Sequence, residues 1–317
     1  MGFACLLIPT DIVLDIKFMS SMLLTGASGF IGANILPRLR EDYERITTLG
    51  LSAANDVAVD LSREVPRLRE RVDVVLHAAG LAHFVPSTQI QERLFYNVNV
   101  EGTKNLCRAL ETVGVPQAFI YVSSVAVYGA ESGTMIDESH PLMGSSAYAK
   151  SKILAEKYLT HWASRHGITL TILRPSIMAG KNPPGNLGAM INALRRGFYF
   201  NIAGNDARKS IMMADDLVEL VAKVKFRGGI YNVCDSEHPS MNDVSLCLAR
   251  ELEVRNPVSV PYPLVNLMAR VGDIAGGGFP INSARLRKLT TTLTFSNQKA
   301  VNQLGWTPRR VLDNMKV

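Results

Sequence analysis

A tyrosine and a lysine stand four residues apart in the segment SSAYAKSKILAE, residues 145–156. Positions i and i+4 of a helix lie on one face, so Tyr148 and Lys152 can reach the same point. An ammonium group beside a phenol favours the phenolate, and we expect Lys152 to lower the pKa of Tyr148 from its usual value of about 10. Such a pair could move a proton on and off a sugar or alcohol hydroxyl near neutral pH. A surface helix with an ordinary aromatic residue and a solvated lysine has the same spacing.

A glycine-rich turn, TGASGFIG at residues 25–32, directly follows the first predicted strand. Glycine permits a tight turn from strand to helix and lets a pyrophosphate approach the backbone at a helix N-terminus. Because the GxxGxxG spacing follows a strand and opens a helix, it predicts a dinucleotide site. The residues predicted to contact the dinucleotide here are Gly26, Ser28, Gly29, Phe30, Ile31 and Gly32.

Short apolar segments alternate with helical segments over residues 22–175. The apolar segments are continuous, which is typical of strands in a parallel sheet covered on both faces. Helices are expected to end at Gly114 and Gly167. After Pro175 a loop rich in proline and glycine leads into shorter helices and strands. The sequence therefore predicts an α/β fold with a parallel sheet in its first half.

The first 21 residues predict an N-terminal extension ahead of a domain that begins near Met22. They lack the basic start of a signal peptide, and Asp11 and Asp15 interrupt their apolar run. The run is also too short to cross a bilayer. A start codon placed too early would produce such a segment.

The composition is that of a globular protein, with 47% hydrophobic and 20% charged residues. The net charge of +6 permits anionic partners such as phosphates or a membrane surface. The longest basic cluster, RLRKL at 285–289, is short, so no nucleic-acid partner is expected. The four cysteines are scattered, which fits reduced thiols in the cytoplasm. Neither cysteines nor histidines have metal-binding spacing, and we predict no metal.

The end of the second strand usually selects between NAD and NADP, through an acidic residue or an arginine. Here it reads LGLSAAND, and Asp56 comes several residues too late to serve with confidence as the acidic residue. The choice between NAD and NADP therefore stays open. Further on, Asp60 and Leu61 either flank the adenine or simply form the turn that ends a short strand.

Taken together, the motifs resemble the extended short-chain dehydrogenase/reductase superfamily, in its NAD-dependent epimerase/dehydratase branch. The resemblance covers nearly everything from Met22 onward. The motifs that carry it are TGASGFIG, HAAG at 77–80, NVEGT at 99–103, SSVAVYG at 123–129, YAKSK at 148–152, LRP at 173–175 and LGWTP at 304–308. It implies a Rossmann-type doubly wound parallel sheet with a smaller C-terminal α/β substrate-binding lobe.

The same resemblance implies a domain division and roles for single residues. Residues 22–175, with part of 210–235 returning, would form the NAD(P)-binding domain, and 176–317 mainly the substrate-binding lobe. Tyr148 would be the general base and acid, Ser124 a hydroxyl donor to the reacting oxygen, and Lys152 the residue that holds the nicotinamide ribose. The other implied cofactor residues are His77, Ala78, Ala79, Gly80, Asn99 and Pro175. For His77, a packed histidine at a strand end is an equal alternative.

One local feature separates the reactions of this family. Relatives that are 4,6-dehydratases resemble STDEVYG, where an Asp-Glu pair supplies the acid and base for loss of water. This chain has Val125 and Ala126 in those positions, and neither can transfer a proton. Dehydratase chemistry is therefore not expected.

The C-terminal half resembles 4-epimerases of N-acetylhexosamines carried on a nucleotide or a polyprenyl diphosphate. In the segment RKSIMMADDL, Lys209 aligns with an arginine that holds the substrate diphosphate in relatives, and Arg208 stands beside it. Asn186 lies where relatives have an asparagine near the diphosphate. Arg285 and Arg287 are weaker candidates, because charged residues on the solvated face of a helix would give the same sequence pattern.

We therefore predict an NAD(P)-dependent C4 epimerase of a diphosphate-linked N-acetylhexosamine, acting through a 4-keto intermediate in surface polysaccharide biosynthesis. A net reductase of a nucleotide 4-keto-6-deoxy sugar is the first alternative, and a cofactor-binding protein without activity is the second. The resemblance implies a homodimer. The apolar segment at 262–278 allows contact with a membrane surface, or a helix packed on the substrate lobe.

Overall fold

The computed structural model describes residues 21–275 and 281–316, and the predicted N-terminal extension lies outside them except for Ser21. The strands are β1 (Ser21–Thr25), β2 (Arg45–Gly50), β3 (Val57–Ala58), β4 (Val74–His77), β5 (Ala118–Val122), β6 (Gly133–Ile136), β7 (Thr169–Pro175), β8 (Ile177–Ala179), β9 (Phe200–Ile202), β10 (Ile211–Met213), β11 (Gly229–Val233), β12 (Val258–Val260) and β13 (Leu293–Phe295). The α-helices are α1 (Phe30–Asp42), α2 (Gln89–Tyr96), α3 (Gly102–Val113), α4 (Ala147–His166), α5 (Gly185–Arg195), α6 (Asp216–Val224), α7 (Met241–Glu251), α8 (Tyr262–Ala275), α9 (Ser283–Thr290), α10 (Gln298–Leu304) and α11 (Val311–Asn314).

A seven-stranded parallel sheet forms the centre, in the order β3-β2-β1-β4-β5-β7-β11. The order reverses between β1 and β4, and ligands of such sheets bind at the carboxyl ends of the strands at this point. Strand β11 lies at one edge of the sheet, paired with β7. The predicted fold class, a Rossmann-type doubly wound α/β sheet, is confirmed.

Helices cover both faces of this sheet, because its central strands carry apolar side chains on both sides. All five residues of β5 are buried. On one face Ile35 of α1 and Val221 of α6 pack against the sheet, and on the other Leu106 of α3 and Leu159 of α4 do so. Both predicted helix ends are found, since α3 stops before Gly114 and α4 before Gly167.

Three two-stranded parallel sheets accompany the central one and pair β10 with β8, β12 with β9, and β13 with β6. Helices α5 and α7 share a core with the first of these sheets, through Met190, Val244 and Met213. Helices α8 and α9 share another core with β9 and β12. No helix in the described ranges has the length and apolar character needed to cross a membrane.

Candidate active site

The glycine turn joins β1 to α1 with almost no room for side chains. Gly26 has a φ of +74°, and a Cβ added to it would lie 2.8 Å from the backbone nitrogen of Ala79. A Cβ at Gly32 would lie 2.4 Å from the Cα of Ala27. The N-cap residue of α1, Gly29, has no side chain to cap the helix. The first N–H groups of α1 therefore stay available for an anion, and this backbone cradle fits the pyrophosphate of a dinucleotide.

The remaining predicted residues of the turn lie at its surface. Ser28 is exposed, and Phe30 and Ile31 at the start of α1 are half-buried. The segment Ala78, Ala79 and Gly80 follows β4 directly beside this turn.

Gly80 brings the glycine turn and the predicted catalytic lysine to the same place. A Cβ at Gly80 would lie 3.1 Å from Lys152 Nζ and 3.1 Å from Asn99 Oδ1. Asn99 lies in a π-helical turn, Asn97–Glu101, between α2 and α3. Its Nδ2 donates to Ser151 Oγ at 2.8 Å, so Asn99 links the end of β4 to α4. The structure thus brings together residues predicted separately from three motifs.

The His77 side chain is buried beneath this surface, and both of its ring nitrogens have partners. Ala79 N–H donates to Thr25 Oγ1 at 3.1 Å, which lies 2.6 Å from His77 Nδ1. On the other side Nε2 lies 2.9 Å from Thr103 Oγ1, whose hydroxyl donates to Asn99 O at 2.7 Å. Because Thr103 has used its proton, Nε2 donates and Nδ1 accepts. Burial lowers the pKa of His77 to about 3, so the ring is neutral and supports the floor of the site.

The residues near the end of β2 and β3 form local turns. The Asp56 carboxylate accepts from the backbone N–H and the hydroxyl of Thr48, both at 2.8 Å. Asp60 Oδ1 accepts from the N–H and hydroxyl of Ser62, at 3.0 and 2.7 Å. Leu61 is buried, and its carbonyl accepts from the Asn105 side chain. The Asp56 carboxylate therefore already has its hydrogen-bond partners on β2. Asp60 lies in the turn that follows β3.

Ser124 lies just after the end of β5, and Tyr148 lies in the first turn of α4. Ser124 caps the 3₁₀ helix Val125–Tyr128 that follows β5, and Ser146 caps α4 just before Tyr148. Burial raises the pKa of the Tyr148 phenol, and a hydrogen bond with Ser124 lowers it by less. The prediction of a lowered pKa for Tyr148 is therefore wrong, because burial of the phenol dominates.

Lys152 is buried one helical turn after Tyr148. Its Nζ donates to the carbonyl of Val122 at 2.9 Å and lies 4.8 Å from the centre of the Tyr121 ring. Burial lowers the pKa of Lys152 to about 8, and the nearby Glu156 opposes this shift. The ammonium therefore keeps its charge near neutral pH.

A sequence model of the NAD dependent epimerase/dehydratase family matches residues 22–234, more than half of the chain. The chain belongs to this family. The match confirms the resemblance drawn from the motifs, the enzyme class and NAD as the cofactor of the family.

Two curated relatives and one solved structure illustrate what this family member is similar to. The N-acetyl-alpha-D-glucosaminyl-diphospho-ditrans,octacis-undecaprenol 4-epimerase of Escherichia coli O157:H7 is 30% identical, with 88% of each chain covered. The UDP-glucose 4-epimerase of Vibrio cholerae is 26% identical over 94% of each chain. The UDP-glucose 4-epimerase of Thermus thermophilus in complex with NAD has a TM-score of 0.66 at 22% identity, with 91% of this chain and 94% of that one covered. At this identity the last likeness shows the fold.

Two features of this epimerase/dehydratase family member were not predicted from its sequence. Phe84 stacks on Phe95 with ring centroids 4.7 Å apart, and Phe95 meets Tyr148 edge-on at 6.1 Å. Glu156 and Arg174, both buried, form an ion pair behind the site. The sequence signals were Phe84, which ends the segment HAAGLAHF, and Arg174, a charged residue at the end of the apolar segment LTIL.

The predicted substrate residues lie on other elements, and no described contact joins them to Ser124 or Tyr148. Asn186 is exposed in the first turn of α5. Arg208 donates through Nη1 to the carbonyl of His238 at 3.0 Å, and Lys209 Nζ donates to the carbonyl of Thr291 at 2.6 Å. Burial lowers the pKa of Lys209.

Pro175 and the possible metal ligands complete the description of the site. Pro175 is the last residue of β7, at the same sheet edge as Ser124. Within residues 21–275 and 281–316, no three His, Cys, Asp or Glu side chains are placed to hold a metal ion.

Proposed function

We propose that the chain is an NAD-dependent epimerase acting at C4 of a diphosphate-linked N-acetylhexosamine. The observation that carries this proposal is the Tyr148 phenol, whose pKa the Ser124 hydroxyl lowers, one helical turn before the buried ammonium of Lys152. Val125 and Ala126 stand next to Ser124, and neither can donate or accept a proton. This argues against elimination of water and for oxidation and reduction at one carbon.

The roles follow from these positions. NAD, when bound, supplies a reversible acceptor for hydride from C4 and a positive charge that offsets the burial of the Tyr148 phenol. Tyr148 takes the proton of the C4 hydroxyl, and Ser124 donates a hydrogen bond to the oxygen of the 4-keto sugar. After the 4-keto sugar has rotated in the site, the hydride would return to the other face of C4 and Tyr148 would return the proton to the oxygen, which gives the C4 epimer. No net oxidation occurs.

The positions of the predicted cofactor residues support the binding of NAD beside Tyr148. The glycine turn offers backbone N–H groups for the pyrophosphate, and Gly80 lies against Lys152 and Asn99. The charged Lys152 would hold the nicotinamide ribose, and Pro175 would approach the carboxamide. Asp60 and Leu61 would flank the adenine through their backbone, since the Asp60 carboxylate already has partners.

The substrate proposal rests on the C-terminal half. Lys209 would bind the diphosphate as a point charge, with Arg208 and Asn186 assisting it, because lysine lacks the bidentate fork of arginine. The 4-epimerase of Escherichia coli O157:H7, with 30% identity, acts on a glucosaminyl-diphospho lipid by its name. This relative supports a diphosphate carrier and an N-acetylhexosamine.

Incubation of the purified protein with UDP-N-acetylglucosamine, with no cofactor added, tests the proposal. We expect the galacto epimer to form, since an epimerase regenerates its bound cofactor in each cycle. Consumption of NADH or NADPH on a 4-keto-6-deoxy sugar, without any epimer, would favour the reductase instead. One observation favours that second candidate: the Asp56 carboxylate is taken up by Thr48, which leaves no acid at the end of β2 for the ribose of a tightly held NAD.

We also propose the domain division given above, with residues 22–175 and part of 210–235 forming the cofactor domain. The pairing of β11 with β7 supports the return of the chain to the central sheet. A homodimer and a place in cytoplasmic polysaccharide synthesis accompany this proposal. Sedimentation of the purified protein tests the dimer.

A further inference from the structure

Helix α8 carries apolar side chains on two faces, and only one of them is packed. Val265, Ala269 and Gly272 are buried in the core that α8 shares with α9 and β9. Their spacing of four and three residues places them on one side of the helix.

The outer stripe of α8 consists of Leu264, Leu267, Val271 and Ile274. The spacing of three and four residues aligns them on a second face, away from the buried one. Their exposed fractions are 55%, 61%, 48% and 90%. Single exposed apolar residues are ordinary at a protein surface, whereas four aligned on one helix face form a strip of the kind that marks an interaction site.

The charged residues that α8 and its neighbour α9 expose are mainly basic. Arg270 is exposed on α8 itself, and Arg287 and Lys288 are exposed on α9, which packs against α8. None of the three forms an ion pair with any residue of the described ranges. The only acidic residue of α8, Asp273, is held by Ser283, whose N–H and hydroxyl donate to it at 2.9 and 2.5 Å.

We propose that the outer stripe of α8 docks on the surface of an anionic lipid bilayer. An apolar helix face bordered by Lys and Arg is the arrangement that lies in a membrane interface, where anionic headgroups attract the basic side chains. A second copy of the chain fits this surface less well. A two-fold contact through the stripe would bring the same basic groups of both copies together.

The location of α9 connects this surface to the substrate site. Thr291, the residue that ends α9, accepts the hydrogen bond from Lys209 Nζ at 2.6 Å. A polyprenyl-diphosphate sugar keeps its lipid in the bilayer and its diphosphate at headgroup level. Lys209 is thus linked through Thr291 to the helix pair that carries the docking surface. This substrate class, a lipid-linked rather than a nucleotide-linked sugar, rests on the function proposed above.

Flotation of the full chain with vesicles of phosphatidylglycerol and phosphatidylcholine tests the docking surface. We expect the wild type to float with these vesicles and to float less with phosphatidylcholine alone. The double variant Leu267→Asp, Ile274→Asp should lose about tenfold or more in vesicle partition, because it places two carboxylates in the apolar face. Ile90→Asp is the matched control, since Ile90 is 74% exposed on α2, away from the stripe. It should float like the wild type.

Epimerisation of UDP-N-acetylglucosamine in solution, measured on the same samples, separates the two proposals. If the double variant keeps this activity and no longer floats, the docking surface is supported and misfolding is excluded as the cause. If the wild type epimerises the sugar but stays unbound, or if the double variant floats equally well, the docking surface is refuted alone. Wild-type flotation without epimerisation of either UDP-N-acetylglucosamine or N-acetylglucosaminyl-diphosphoprenol refutes the proposed function and leaves the docking surface supported. Self-association of the wild type that the double variant abolishes, in the absence of lipid, would assign the stripe to a second copy and overturn the proposal.

Activity on N-acetylglucosaminyl-diphosphoprenol carried in the vesicles tests the substrate class. We expect the double variant to lose most of this turnover while it keeps turnover of the nucleotide sugar. Equal retention of both activities would refute the lipid-linked assignment.

Discussion

The Glu156 carboxylate and the Arg174 guanidinium form a two-point ion pair in the interior, with Nη2 2.6 Å from Oε2 and Nε 3.1 Å from Oε1. Glu156 lies one turn after Lys152 on α4, and Arg174 immediately precedes Pro175 on β7. Ser123, next to Ser124, donates its hydroxyl to the same carboxylate. The pair therefore holds together three segments that carry predicted catalytic or cofactor residues.

Loss of one partner of this pair should be costly. Glu156→Gln is expected to lower the free energy of unfolding by about 3–5 kcal/mol, because the charge of Arg174 stays buried without its counter-ion. Glu219→Gln is the control, since Glu219 pairs with Lys223 at the surface, where about 0–1 kcal/mol is typical. Urea denaturation measures both. Equal losses in the two variants would contradict a structural role for the buried pair.

Tyr148→Phe is expected to lower kcat by about a thousandfold or more, because the phenol is the only group proposed to move the C4 proton. Binding of NAD, measured by calorimetry, should change little, since the ring remains. Tyr262→Phe, at a half-exposed tyrosine of α8, should leave kcat unchanged. Turnover of Tyr148→Phe at the wild-type rate would exclude Tyr148 as the general base.

His77 should make the protein sensitive to acid. Its pKa is 6.5 in the unfolded chain and about 3 when folded, so stability falls as the pH falls from 6.5 towards 3. At pH 5 the loss from this one group amounts to about 2 kcal/mol. His77→Gln should remove this difference between pH 7 and pH 5, although it is less stable at both. Urea midpoints at the two pH values measure it, and His161→Gln, at an exposed position, should keep the wild-type difference.

Gly26→Ala should abolish binding of NAD. Its Cβ would meet the backbone of Ala79 at 2.8 Å, and the φ of +74° adds strain. Gly167→Ala is the control, because Gly167 has a similar φ of +67° and no atom lies within 4 Å of the added Cβ. It measures the backbone strain alone, which should lower the stability by about 1 kcal/mol. Calorimetric titration with NAD compares the two. Undiminished binding by Gly26→Ala would show that the turn does not hold the pyrophosphate.

The parts of the fold that could be predicted are those written in short stretches of sequence. Continuous apolar segments such as β5, glycines at helix ends such as Gly114, and the turn at Gly26 follow from local preferences of the backbone and side chains. The spacing of Tyr148 and Lys152 similarly places both on one side of α4. For these features the neighbours that matter lie within a few residues along the chain.

Tertiary structure alone decided the electrostatics and the polar partners. The pKa of Tyr148 is raised rather than lowered because distant segments exclude water from the phenol, and no local spacing reports that burial. The partners of His77, Thr25 and Thr103, come from two other motifs, and Glu156 meets Arg174 across eighteen residues. Desolvation and hydrogen bonding depend on which elements are packed side by side, so the sequence determined which groups the site contains, and the packing determined their charge and their partners.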